Sequence, residues 1–305
     1  MADASIDTRQ GPEALADLSL ASAEPRPLQY RRFSLFQRWI HFFIMVSFTV
    51  LVFTGMPLRY SAAGWAQWEM RRLGGAQTAG IVHRFAAMIM VTCVLLMIGF
   101  FTGILIKRRG RFWGPGTMVP NRKDWDDLVA MWRWFLGGPR PALQFDRYSF
   151  YEKGEFWAAS AGVSIMCITG AMLWYPQLTT RFLPGIFLNF ALVNHSGGAL
   201  LAMGFVFVFW HVFHAHLRPE VFPMDKGMFE AGLPLDHYAH ERPLEYERRV
   251  REGTLQEVLV LQPGARRRKV QGVIWWIITI VSLAVWAAFV VFILWWLGHV
   301  VGLWS

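Results

Sequence analysis

Five stretches of the chain run without Asp, Glu, Lys or Arg for long enough to cross a bilayer, which takes about 20 apolar residues in a helix. Trp39–Leu58 lies between Arg38 and Arg59, and Phe85–Ile106 between Arg84 and Lys107. With His83 counted in, the second span is set at 83–106. Phe156–Gln177 begins directly after Glu155. The fourth uncharged run, Phe182–Leu217, exceeds what one helix needs. Its opening, FLPGIFLNF, is broken by Pro184 and Gly185, so that part reads as interfacial and the span as 188–217. The fifth, 270–305, follows on Arg266, Arg267, Arg268 and Lys269. Trp or Tyr stands near most span ends, as membrane interfaces favour. The pattern predicts an all-α membrane protein: a four-helix transmembrane bundle within 31–217, plus a fifth C-terminal transmembrane helix.

Charge between the spans sets an orientation. With the N-terminus in the cytoplasm, the internal segments 1–38, 107–155 and 218–269 carry 5, 10 and 10 of the Lys and Arg residues. The external loops 59–80 and 178–187 carry 3 and 1. The C-terminus is then periplasmic. Residues 1–30 are small and acidic with no apolar core, so they are expected to be a flexible tail rather than a secretory signal. Segment 107–155 sets Trp113, Trp125, Trp132 and Trp134 among Arg and Asp and is expected to lie along the inner interface. Segment 218–269 reads as a polar cytoplasmic stretch with helical charge spacing.

Composition narrows the classes further. Of 305 residues, 54% are hydrophobic and only 17% charged, against about a quarter charged in soluble domains. The 16 Trp and 25 Phe exclude disorder as the main state. Cys93 and Cys167 both sit in apolar runs and make neither a disulfide framework nor a CxxCH haem attachment. The net charge of +9 is placed as orientation signals, so it does not report nucleic-acid binding. There is no GxGxxG, P-loop, zinc-type cysteine cluster or nucleophile triad.

Six of the nine histidines fall in or at the first four apolar spans: His41, His83, His195, His211, His214 and His216. A lone histidine there is more often a helix–helix hydrogen bond or a snorkelling end residue. Several together are a functional hypothesis, because ionisable groups in a bilayer are costly. These also match by depth. His41 begins span one at the inner side and His83 begins span two at the outer side. Span four runs inward, with His195 in its outer half and His211 towards its inner end. His83 is thus expected to meet His195, and His41 to meet His211. Two facing imidazoles on different helices are what a six-coordinate haem b requires. Sixteen positions separate the span-four histidines, about 24 Å along the axis, enough for two stacked haems. Arg38 and Arg84 stand near those levels as candidates for pairing haem propionates, with interface anchoring an equally good account of them. His237 and His240 lie in the polar segment and read as solvated.

Four stretches carry a family resemblance: RFSLFQRWIHFFIMVSFTVLVFTGMPL with His41, GAQTAGIVHRFAAM with His83, NRKDWDDLVAMWRWFLGG to ITGAMLWYP, and VNHSGGALLAMGFVFVFWHVFHAH. In this order the chain resembles, over about 30–217, the cytochrome b (gamma) subunit of membrane-bound formate dehydrogenases and related hydrogenase and thiosulfate-reductase dihaem cytochromes b. The resemblance implies a haem-binding bundle with two b haems in a bacterial inner membrane. It implies partners in an iron–sulfur subunit and a catalytic molybdenum or tungsten subunit, and exchange of electrons with ubiquinone or menaquinone, with no primary substrate site in this chain. By position it points the quinone site to Arg147, Tyr148, Ser149, Glu152 and Lys153, although the family often has Asn where Ser149 stands.

Two departures matter. The family's span-four ligands usually stand about fourteen residues apart, and that position here is Phe209. His211 falls about 160° from His195 on an ideal wheel, and His214 about 100°. A π-bulge, or a kink near Gly197–Gly198, would re-aim the helix. The segment HVFHA favours His211 as ligand, with His214 as the alternative. The second departure is the extra 218–305. Rival readings are a hydrogenase or sulfur-compound cytochrome b, a stand-alone b-type reductase, a scaffold without haem, and a transporter with a histidine proton relay; mid-membrane charges and repeat symmetry, the usual marks of transport, are lacking.

Overall fold

The computed structural model describes residues 27–110, 112–201, 209–230 and 232–302. Among them, four helices are long and apolar enough to cross a membrane: α1 (Leu35–Arg59), α3 (Ala76–Lys107), α5 (Phe150–Trp174) and α10 (Ala265–Val300). Between them come α2 (Gly64–Arg72), α4 (Arg122–Phe135), α6 (Pro176–Phe182), α7 (Ile186–Leu201), α8 (Leu235–Glu241) and α9 (Pro243–Arg251). The span expected at 188–217 begins in α7 and ends in a π-helical turn, Phe213–Leu217. Its residues 202–208 lie outside the described ones.

The helix ends differ from the uncharged runs for local reasons. The helix α3 starts seven residues before His83, at a Gly74–Gly75 pair with φ of 81° and 94° that L-residues rarely adopt. Its backbone continues through Arg84, which limited only the uncharged run. α5 begins six residues before Phe156 because Ser149 and Glu152 form a capping box. The Ser149 N–H donates to Glu152 Oε2 at 2.8 Å and the Glu152 N–H to Ser149 Oγ at 3.4 Å. It stops at Trp174, since Tyr175 precedes Pro176 and is pushed out of the helical region, with ψ of 63°. Pro184 and Gly185 separate α6 from α7.

The chain divides into two compact units. One gathers the described residues up to Arg38 with Phe112–Lys153 and Asp225–Thr279. These nearly coincide with the three segments that the Lys and Arg count assigns to one side. Leu28–Tyr30, placed in the tail by sequence, form β1, the central strand of a sheet ordered β2 (Leu233–Pro234), β1, β3 (Leu259–Leu261). Both pairings are antiparallel, with Tyr30 opposite Leu233 and Leu259. The Tyr30 ring stacks on Tyr238 with centroids 3.4 Å apart, and Burial pushes both phenols above their usual range. Glu245, only 1% exposed, accepts from Tyr30 Oη at 3.1 Å, Arg147 Nη1 at 3.2 Å and Arg249 Nε at 3.0 Å. α4 exposes Trp125 and Trp132 along one stripe.

The other unit holds the described residues of 39–111, 154–224 and 280–302. In it the later half of α10 packs on α1 through Val52, Met56, Phe289 and Ile293. Tyr60 and Trp65 extend that contact edge-on against Phe292 and Trp295.

Candidate functional site

Four of the span histidines stand as two pairs. His41 on α1 and His211 have ring centres 6.1 Å apart, tilted by 41°. His83 on α3 and His195 on α7 have ring centres 6.2 Å apart, at 74°.

In three of these rings Nδ1 is engaged by a neighbouring helix. Thr54 Oγ1 on α1 lies 2.9 Å from His83 Nδ1, and Thr169 Oγ1 on α5 lies 3.2 Å from His195 Nδ1. His211 Nδ1 donates to the Glu155 carboxylate, also on α5. Engaging Nδ1 leaves Nε2 as the nitrogen able to bind a metal, the arrangement that orients metal-ligating histidines generally. Glycines let two rings lie close. A Cβ on Gly55 would stand 3.1 Å from His83 Cε1, and one on Gly170 would stand 2.9 Å from His195 Cε1. Both glycines therefore seat the imidazoles.

The remaining expected residues are placed as follows. His214 Nδ1 meets the Trp210 carbonyl at 2.9 Å, and its ring lies against Trp210 and Phe213. His216 Nδ1 meets the Pro223 carbonyl at 3.1 Å. Arg84 lies 5.9 Å over the Trp174 ring. Arg38 donates through Nε to the Met228 carbonyl at 3.1 Å and also to the Phe229 carbonyl. The wider turn is not at Gly197–Gly198, which are α-helical, but at 209–211 and Phe213–Leu217. A π-turn advances fewer degrees per residue than an α-turn, so the ideal-wheel angles for His211 and His214 do not apply there.

The expected quinone residues form one polar cluster in the first unit. Glu152, besides capping Ser149, accepts from Arg242 Nη2 at 2.9 Å and pairs with Arg32. The buried Lys153 reaches Asp124 Oδ2 at 2.7 Å, and Asp124 is held in turn by the Asn121 capping box of α4. Tyr148 Oη accepts from Arg147 Nε at 3.2 Å, which leaves the phenol hydrogen to donate.

Residues 32–224 match the sequence profile of the prokaryotic cytochrome b561 family. The chain belongs to that family. The cytochrome is similar to the "Formate dehydrogenase, cytochrome b556(fdo) subunit" of Escherichia coli (strain K12), at 24% identity over 212 residues, 68% of this chain and 89% of the relative. It is also similar to the "Formate dehydrogenase, nitrate-inducible, cytochrome b556(Fdn) subunit" of the same strain, at 19% identity over 202 residues, 66% and 83% of the two chains. It is a formate dehydrogenase-type cytochrome b, a membrane protein of a family that binds haem b. The family match stops before β2, so the later strands, α8, α9 and α10 are additions to the common part.

The histidine pairs fit that cofactor. Metal–imidazole bonds of about 2 Å on either side of one iron leave two ring centres about 6 Å apart, close to both observed separations. Sequence reasoning missed Thr54, Thr169 and Glu155. The signal present was a Thr-Gly pair in spans one and three, at 54–55 and 169–170, but Thr102–Gly103 repeats it away from any of the four rings.

Proposed function

We propose that this cytochrome holds two b haems, one between His83 and His195 and the other between His41 and His211, and passes electrons between the iron–sulfur subunit of a formate dehydrogenase-like complex and the membrane quinone pool. The observation that carries the reading is the two inter-helix histidine pairs with matching ring separations. Bound haem supplies a one-electron Fe(III)/Fe(II) couple. The chain's own contribution is to present paired imidazoles from different helices, fix which ring nitrogen is available, and surround both with apolar helix.

The ring that faces His41 is His211, which favours it over His214 as the inner ligand. Arg38 and Arg84 remain the propionate candidates, Arg84 with its guanidinium over an aromatic ring and Arg38 already donating to two carbonyls. Quinone is assigned to the cluster of Tyr148, Ser149, Glu152 and Lys153, where the Tyr148 hydroxyl has a hydrogen to give a quinone carbonyl. The chain is taken to be cytoplasmic at its N-terminus and periplasmic at its C-terminus, with 31–217 as the haem domain, 218–269 cytoplasmic and 270–305 as the fifth span. Relatives named as formate dehydrogenase subunits favour formate over hydrogen or sulfur compounds as the upstream donor, and an electron carrier over a proton relay.

A dithionite-reduced minus oxidised spectrum with pyridine haemochrome stoichiometry tests this. Two b haems per chain are expected, one lost in His83→Ala and the other in His41→Ala. Folded protein without haem, or both haems kept in His83→Ala, overturns the pairing.

A further inference from the structure

The two outer histidines are seated in the same way by different helices. Thr54 and Gly55 on α1 receive His83; Thr169 and Gly170 on α5 receive His195. Both threonines are buried, at 2% and 4% exposure, so water does not compete for their hydroxyls.

A hydroxyl has one hydrogen and two lone pairs. Thr54 Oγ1 lies 2.7 Å from the Val50 carbonyl, and Thr169 Oγ1 lies 2.7 Å from the Ile165 carbonyl. A carbonyl only accepts, so the hydrogen of each hydroxyl is spent there, in the i−4 back-bond that Thr makes in helices. What remains towards the imidazole is a lone pair. The contacts at 2.9 and 3.2 Å are therefore made by Nδ1–H donating to Oγ1, and each neutral ring carries its own lone pair on Nε2.

We propose that Thr54 and Thr169 are positioning residues that hold His83 and His195 in the Nδ1–H tautomer, so that Nε2 is the iron-binding nitrogen of both and the pair presents two equally tuned ligands. This rests on the outer pair binding haem, as proposed above. Accepting from Nδ1–H makes an imidazole a stronger donor to a metal, and a stronger donor favours the ferric over the ferrous ion.

The test uses the full chain purified with haem and titrated potentiometrically, with Thr54→Val, Thr169→Val and Thr54→Ser, and His83→Ala as the control. Valine keeps the shape and removes the hydroxyl acceptor, while the Leu51 and Met166 carbonyls beside the same rings stay in place; serine keeps the hydroxyl. Each valine variant is expected to raise the midpoint of one haem by about tenfold in ferric-to-ferrous preference, about 59 mV for one electron. The other haem stays in place, and Thr54→Ser returns to the wild-type midpoint. Valine variants with two haems at unchanged midpoints overturn the proposal. So does a serine variant that shifts as far as valine, since the effect is then packing. Retention of both haems in His83→Ala overturns the outer-pair assignment itself, separately from the role of the threonines. If Thr54→Val does not accumulate, Thr169→Val on the other helix reads the same outcome.

Discussion

Glu155 accepts a hydrogen bond from His211, and fourteen residues further along the same helix Thr169 accepts one from His195. Fourteen residues fall about 40° short of four whole turns, so one face of α5 backs both span-four histidines. The two acceptors differ: a carboxylate behind His211 and a hydroxyl behind His195. Charge-assisted hydrogen bonds are roughly twice as strong as neutral ones, so as an iron ligand His211 would be the stronger electron donor. Glu155→Gln is expected to keep both haems and raise the midpoint of one by on the order of 60 mV, about 1.4 kcal/mol. A potentiometric titration checks it, with the His83-dependent haem as internal reference.

His211 and His214 are separated by their surroundings. The first faces the His41 ring; the second points Nδ1 at the Trp210 carbonyl one turn back. His211→Ala is expected to lose the haem that His41→Ala loses, and His214→Ala to keep two. Haem stoichiometry in the two variants decides which of them is the ligand.

The depth pairing of histidines was legible because charge-free runs fix where a helix crosses and the rise per residue fixes the spacing within it. The groups behind the histidines were not. Thr54, Thr169 and Glu155 are ordinary residues in or beside a span, and their roles depend on which helix lies next to which. The start of α5 was there to be read, as Ser149-x-x-Glu152 ahead of an apolar run is a capping-box signature. A search for uncharged residues passes over it, because Glu152, Lys153 and Glu155 belong to the helix. The strand at Leu28–Tyr30 had no such signal: three residues pair with partners about 200 positions later, and Tyr30 is buried by Tyr238 rather than by anything local.

Gly170 offers the sharpest steric test. An alanine Cβ would stand 2.9 Å from His195 Cε1, closer than real Cβ contacts come, so the ring or the helix must move. Gly170→Ala is expected to lose or shift the spectrum of the haem that depends on His83 and leave the His41-dependent one unchanged. Gly55→Ala, at 3.1 Å from His83 Cε1, should act in the same direction more weakly. A reduced minus oxidised spectrum of each variant reads the difference.

Glu245 is the anchor of the first unit, with Tyr30, Arg147 and Arg249 all donating to a carboxylate that is 1% exposed. Removing one partner of a buried ion pair costs about 3–5 kcal/mol, because the charges left behind have lost their solvent as well as their partner. Glu245→Ala is expected to lower the melting temperature of that unit and make the chain after Asp225 sensitive to limited proteolysis. Glu245→Gln, which keeps an acceptor, should fall between it and wild type.

Tyr148 tests the quinone assignment with the least disturbance to the ion pairs around it. Its hydroxyl accepts from Arg147 Nε at 3.2 Å, so the guanidinium polarises the phenol and its hydrogen is available to a quinone carbonyl. Lys153 and Glu152 are poorer probes, since replacing either strips a buried partner from Asp124 or from Arg32 and Arg242. Tyr148→Phe removes one hydrogen bond, worth about 0.5–1.5 kcal/mol, and is expected to raise the KM for a soluble quinone by up to about tenfold. Haem content and dithionite-reduced spectrum should not move. An unchanged KM would take the quinone away from this cluster while leaving the histidine pairs untouched.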